Sequence, residues 1–319
     1  MYVMKINEKK EFIWTEVSDP VLKRGEVLIK TKAAAVNRAD LMQRAGNYPP
    51  PVGWPEWPGL EISGTIVDAN GSDKFQKGDF VCALLGGGGY AEYSAVPENL
   101  VMPIPVGFSL LEAASLPEVF ATSYLDLKLT AKLQPGENVF IYAGASGLGI
   151  AATQIAKFLG AAKVITTVGS DSKKTLIQKF GADRIVNRKK EDVEQVFKDH
   201  SIRVVVDCVG TGISKLVDKM EPGGRWIIVA NLGGTVATIP LAEMYKRNIS
   251  LIGITLRSRP EEVKSTILAG LVKEIWPELS AGRIKQNIYK VLPISEVESA
   301  HSILERNENI GKVILQVEK

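Results

Sequence analysis

Cysteine and histidine are scarce in this chain: 319 residues hold two of each, Cys82, Cys208, His200 and His301. Two thiols cannot build a disulfide framework, and the expected compartment is a reducing cytoplasm. Catalytic zinc wants about three nitrogen, sulfur or oxygen ligands and an open fourth position. Four soft donors with no metal-ligand spacing among them do not supply that set, so no metal is expected. An excess of one charge is also missing, since 39 basic against 36 acidic residues leave +3. That balance gives no reason to expect a nucleic-acid partner. No stretch approaches the roughly 18 apolar residues of a membrane span. The opening Met1–Lys10 has no apolar core of a secretory signal, so none is expected. What is present, 45% hydrophobic and 24% charged residues, is the composition of a globular protein long enough for two domains.

The sequence changes character twice. Up to about residue 120 it is rich in Gly and Pro, with short apolar runs at Glu26–Lys30, Glu61–Val67 and Phe80–Leu84. Turn clusters such as Asn47-Tyr48-Pro49-Pro50-Pro51 and Gly86–Gly89 separate them, which predicts a partly barrel-shaped β region. From there to 257 strand and helix alternate. Strands are predicted at Val139–Tyr142, Lys163–Val168, Arg184–Asn187, Val204–Val209, Trp226–Ala230 and Leu251–Thr255, with helices at Ile150–Leu159 and Lys173–Phe180. Continuous apolar strands joined by helices predict an α/β fold, with a doubly wound, six-stranded parallel sheet. The remainder reads as a helix at Glu261–Ile275, a strand at Ile288–Pro293, a helix at Ile294–Arg306 and a last strand at Lys312–Val317. That last strand has no partner nearby and is expected to return to the N-terminal β region. The expected domains are 1–120 with 258–319, and 121–257.

The strongest chemical signal is the run from Val139 to Gly149, an apolar strand entering Gly144-Ala145-Ser146-Gly147-Leu148-Gly149 and then an apolar helix. Small residues let a backbone approach a pyrophosphate, and a helix N-terminus offers free N–H groups and partial positive charge. The spacing is Gly144-x-x-Gly147-x-Gly149 rather than the strict Rossmann fingerprint; the strand before, the helix after and the further β/α units give it weight. About 20 residues on, a carboxylate would hold the ribose hydroxyls of NAD. Gly169 and Ser170 stand there, followed by Lys173 and Lys174, and the next strand runs into Arg188. A missing acid and converging cations suit a 2′-phosphate and hence NADPH. Asp171, one residue late, argues the other way.

Ala35–Arg44, Gly46–Pro51, Gly59-Leu60-Glu61, Gly86–Tyr93, the glycine loop, Asp207-Cys208-Val209-Gly210 and Asn309-Ile310-Gly311-Lys312 together resemble the medium-chain dehydrogenase/reductase superfamily. Within it they resemble the zinc-free quinone oxidoreductase branch, in the subgroup of the p53-inducible quinone oxidoreductase. The resemblance implies a Rossmann cofactor domain and a GroES-like catalytic domain. Zinc alcohol dehydrogenases of the superfamily carry a Cys ligand near the place of Asn37 and a His in a Gly-His-Glu triplet, where Leu60 stands here.

Without a Lewis acid, alcohol oxidation is disfavoured. A nicotinamide can still pass hydride to a quinone or a related conjugated carbonyl, whose own conjugation takes up the charge. The resemblance assigns Asn37 and Tyr48 to the catalytic pocket, Tyr48 as a hydrogen-bond donor to the acceptor oxygen, and Thr122, at the start of a helix, to the nicotinamide. It assigns Ala145–Gly149, Gly169, Ser170, Lys173, Arg188, Cys208, Val209, Val229, Ala230, Asn231, Leu232, Ile254, Thr255 and Leu256 to the cofactor. Asn309 and Lys312 are expected in an arm folded over it. Relatives commonly have Tyr where Arg188 stands, and Gly86–Gly89 reads as a mobile part of the acceptor wall. Pairing through Leu251–Thr255 into a homodimer or homotetramer is implied as well. An alkenal or enone reductase, and an NADPH-binding sensor or structural protein with little turnover, stay open beside the quinone reductase.

Overall fold

The computed structural model describes residues 1–317. The chain packs as two compact units, one built from Met1–Ala121 with Arg257–Lys319 and the other from Thr122–Leu256.

The first unit opens with the hairpin β1 (Tyr2–Ile6) and β2 (Phe12–Glu16). Its main sheet takes β3 (Glu26–Val36), β4 (Glu61–Asp68), β5 (Phe80–Leu84), β6 (Tyr93–Pro97) and β7 (Val101–Pro103). The expected strand at Glu26–Lys30 is longer, because Ala33–Val36 are small or apolar and fully covered. A stretch without polar side chains continues a strand when partners flank it on both sides.

In the second unit β8 (Asn138–Ile141), β9 (Lys163–Val168), β10 (Arg184–Asn187), β11 (Ile202–Asp207), β12 (Arg225–Ile228) and β13 (Ser250–Gly253) form one sheet in the order β10-β9-β8-β11-β12-β13. Every pairing is parallel. Phe140, Tyr142, Phe197 and Trp226 pack on one face of it. Four strands stop short of their expected ends, β8 by one residue and β11, β12 and β13 by two each. Asp207 accepts from the amides of Val209 (2.7 Å) and Gly210 (2.9 Å), and this curls the chain out of the sheet after β11. Cys208 and Val209 therefore lie in the loop past β11, and Val229 and Ala230, and Ile254 and Thr255, lie likewise past β12 and β13.

The chain then returns to the first sheet with β14 (Ile288–Pro293) and β15 (Lys312–Gln316). β15 pairs antiparallel with Ala33–Val36 of β3, as the sequence led one to expect, and parallel with β14. The sheet order is β14-β15-β3-β4-β5-β7, with β6 on β3.

Candidate functional site

In the second unit the glycine loop connects β8 to the helix Gly147–Phe158. The helix starts three residues before the expected Ile150, because Ser146 caps it: its Oγ accepts from the Gly149 amide at 3.0 Å. Ala143 turns through a positive φ of 53°, and its amide donates to Thr167 Oγ1 at 3.0 Å. A Cβ on Gly149 would meet the Ala143 carbonyl oxygen and stand 2.6 Å from Gly144 Cα, so this approach is open to glycine alone. Among the described residues, none accepts from the amides of Ala145, Gly147 or Leu148. Three donors at the head of a twelve-residue helix fit a pyrophosphate.

All the other cofactor candidates of this unit except Thr122 follow strands at the carboxyl edge of the same sheet. Gly169 and Ser170 follow β9, and Arg188 follows β10; a Cβ on Gly169 would lie 3.9 Å from an Arg188 guanidinium nitrogen. Asp171 is taken up by Lys190 Nζ (2.7 Å), Asn187 Nδ2 (2.9 Å) and Lys174 Nζ (3.2 Å), which hold its carboxyl well below the ordinary carboxylate range. Lys173 closes the short turn Asp171–Lys173. Cys208 and Val209 follow β11, Val229–Leu232 follow β12, and Ile254–Leu256 follow β13. The carbonyls of Cys208 and Val209 accept from the amides of Leu232 (3.3 Å) and Gly233 (2.8 Å), which ties the two loops together. Thr122 does not start a helix: it is the sixth residue of Pro117–Tyr124, buried, because a proline at the first helical position begins the helix earlier.

The first unit buries a charged nest around Asn37. Lys312, 3% exposed, places its ammonium 2.7 Å from Glu61 Oε1, 2.7 Å from Asn37 Oδ1 and 3.1 Å from the Val36 carbonyl. Asn37 Nδ2 donates to Glu61 Oε1 at 3.0 Å, and the Glu118 amide donates to Glu61 Oε2 at 2.8 Å. All three ammonium donors are thus satisfied inside the unit, so Lys312 pins the sheet and orients Asn37 rather than reaching out of an arm. Asn309 bonds its own turn at the Gly311 carbonyl, 2.7 Å away. Leu60 is buried. Among the described residues no three His, Cys, Asp or Glu side chains cluster closely enough to hold a metal ion.

Beside this nest Asp40 accepts from the Asn37 amide (2.8 Å), the Gly59 amide (3.0 Å) and the Tyr90 hydroxyl (3.2 Å), with His301 Nε2 3.4 Å beyond that hydroxyl. Burial pushes Asp40 up to about 6 and His301 down to about 3. Because the folded Asp40 holds its proton more tightly than the unfolded one, its contribution to stability is present at low pH and is lost as pH rises through 6. The parent should therefore lose about 2 kcal/mol of stability relative to Asp40→Asn between pH 4.5 and 7.5. Urea titrations at the two pH values measure it, and a parent that holds its own or gains on the variant as pH rises would contradict the burial argument.

Tyr48 is half-buried, and its ring lies over the guanidinium of Arg257, 5.0 Å from the centroid. Gly86–Gly89 are packed rather than loose. A Cβ on Gly86 would come within 2.6 Å of the Trp54 ring, and one on Gly88 within 2.8 Å of Pro55. The Gly88 amide donates to the Trp57 carbonyl at 2.8 Å, and Trp57 Nε1 donates to the Gly88 carbonyl at 2.9 Å. The glycines serve close approach, which corrects the expectation of a mobile wall. Sequence reasoning missed Arg257, Gln43, Glu61 and Asp40 as members of this site. Their one legible signal was the position of three of them inside the segments Ala35–Arg44 and Gly59–Glu61.

Residues 23–106 match the alcohol dehydrogenase GroES-like domain family, and residues 147–272 match the zinc-binding dehydrogenase family. Quinone oxidoreductase-like protein 2 of Bos taurus is 30% identical over 316 residues, covering 97% of this chain and 90% of its own length. The crystal structure of quinone oxidoreductase from Thermus thermophilus, solved also in complex with NADPH, superposes with a TM-score of 0.85 at 27% identity over 99% of both chains. A structure described as an NAD-dependent alcohol dehydrogenase gives the same TM-score and identity over the full length of both chains. With two domain matches and full-length similarity at this level, the chain belongs to the quinone oxidoreductase branch of the medium-chain dehydrogenase/reductase superfamily.

Proposed function

We propose that this oxidoreductase takes hydride from NADPH and delivers it, without a metal, to a quinone or a related conjugated carbonyl. The observation that carries the choice of NADPH is the turn after β9. Gly169 and Ser170 leave room there, the Arg188 guanidinium stands beside them, and the carboxylate that follows, Asp171, is held by Lys190 and by Lys174, which also pairs with Glu191. A 2′-phosphate finds cations at such a turn, whereas ribose hydroxyls find no available acid. The metal-free reading is supported by the chemistry of the donor set: an ammonium lies between Asn37 and Glu61, and Leu60 offers no ligand atom.

When bound, the dinucleotide supplies the hydride. The protein's part is to hold, orient and exclude water. The free amides of Ala145, Gly147 and Leu148 grip the pyrophosphate, and Ser146 keeps the helix end rigid. Asn37, fixed by Lys312 and Glu61, presents a polar group of set orientation. Tyr48, on a loop stiffened by Pro49, Pro50 and Pro51, donates to the acceptor oxygen as charge develops there.

The test is NADPH oxidation on addition of 1,4-naphthoquinone, with enones run alongside. The quinone should give the higher kcat/KM. In Lys173→Ala/Arg188→Ala, NADPH should bind about tenfold or more weaker, as expected for loss of a charge-assisted contact, and NADH nearly as before. Equal losses for both nucleotides would remove the case for the 2′-phosphate, and dinucleotide binding without consumption across the acceptor panel would favour a sensor.

A further inference from the structure

We propose that Arg257 is the positioning residue of the acceptor pocket, acting through Tyr48; this rests on the reading above, in which Tyr48 donates to the acceptor. Arg257 is 4% exposed. Its planar fork is divided among three separate stretches of chain: Nε donates to the Gly86 carbonyl at 2.7 Å, Nη1 to the Tyr48 carbonyl at 3.0 Å, and Nη2 to Gln43 Oε1 at 2.6 Å. Every one of these acceptors is uncharged. Burying a guanidinium among neutral acceptors is costly, and burial lowers its proton affinity accordingly. A stability role alone would be served better by an apolar side chain of similar volume.

What the fork achieves is geometric. Gln43 belongs to the helix Arg38–Arg44, which begins at Asn37, and its own amide is tied to the Glu56 carbonyl at 2.6 Å. Gly86 opens the glycine wall that packs on Trp54 and Pro55. Tyr48 receives both a hydrogen bond on its carbonyl and a cation against its ring face. One side chain thus fixes the Asn37 helix, the Tyr48 loop and the opposing wall in a single arrangement. Lys264, as buried as Arg257, repeats the device beside it, its ammonium 5.5 Å from the Trp54 ring centroid and 3.4 Å from the Arg257 carbonyl. Lysine at 257 would keep the charge but lose the fixed planar fork that spans these acceptors.

Arg257→Met and Arg257→Lys in the full chain, each with and without Tyr48→Phe, test this. In cofactor-free protein, hydrogen exchange at residues 46–58 and 86–89 should be about tenfold or more faster in both single variants, with the second unit unchanged. In turnover, acceptor KM should rise and kcat/KM for 1,4-naphthoquinone fall by about 10- to 100-fold, while NADPH affinity stays within about twofold. With Tyr48→Phe already present, the further loss from Arg257→Met should shrink below about threefold. Arg257→Lys matching the parent in exchange and in kcat/KM overturns the proposal, because charge without the fork would then suffice. Fully multiplicative losses with Tyr48→Phe overturn it too. Should Arg257→Met fail to fold, Arg257→Lys carries the test. A parent that reduces no quinone sinks the reading of the reaction, and the exchange data alone then decide the positioning role.

Discussion

Lys312→Met should cost the first unit about 3–5 kcal/mol, the range for removing one partner of a buried ion pair. The pair is 3% and 0% exposed, so neither charge has water to fall back on. Without the ammonium, Glu61 keeps, among the described residues, the Asn37 side chain and the Glu118 amide as its partners. Asn37 in turn loses the bond that fixes its carbonyl oxygen. Urea unfolding should show the midpoint fall, and Lys312→Met/Glu61→Gln should recover most of the loss, because the stranded charge is then gone as well. A single variant as stable as the parent would mean that the pair contributes nothing.

Gly149→Ala should weaken dinucleotide binding at least about a hundredfold, the expected result of misaligning two or more amide contacts to a charged phosphate. The added methyl meets the Ala143 carbonyl oxygen and Gly144 Cα, which are backbone atoms that no rotamer change can clear. The loop must open, and the amides of Ala145, Gly147 and Leu148 then cease to converge. Ser146→Ala, by contrast, removes only the helix cap, worth about 1 kcal/mol, and should weaken binding far less. Calorimetric titration with NADPH compares the two. Equal small losses would show that the tight loop is not what grips the pyrophosphate.

The features that were legible in the sequence are those written in a few adjacent residues. The strand, glycine loop and helix of residues 139–158 follow from local apolarity and small side chains, and the alternation up to residue 255 announces the parallel sheet. The end of β11 was misjudged because Asp207 stops it with a side chain, and an apolar count does not register that. The nest of the first unit was harder still. Lys312 and Glu61 are far apart in sequence, and which residues meet there depends on β15 returning beside β3. A clue was present nonetheless: in the strand Lys312–Gln316, a period of two places Lys312 on the face of Ile314, which is fully buried. Arg257 gave no such clue, since a lone arginine at the end of an apolar stretch reads as a solvated boundary.

The pairing of β15 with β3 sets an order of events on the ribosome. When residue 256 emerges, every strand of the second unit exists and its sheet can close from local connections alone. At that moment the edge of β3 at Ala33–Val36 has no neighbour, and Glu61 has no cation. Both wait for about 60 more residues, roughly 3–12 seconds of synthesis at ordinary elongation rates. The nascent chain therefore carries a bare strand edge and an uncompensated carboxylate through that interval, and the arrival of a single lysine resolves the second as the strand behind it covers the first.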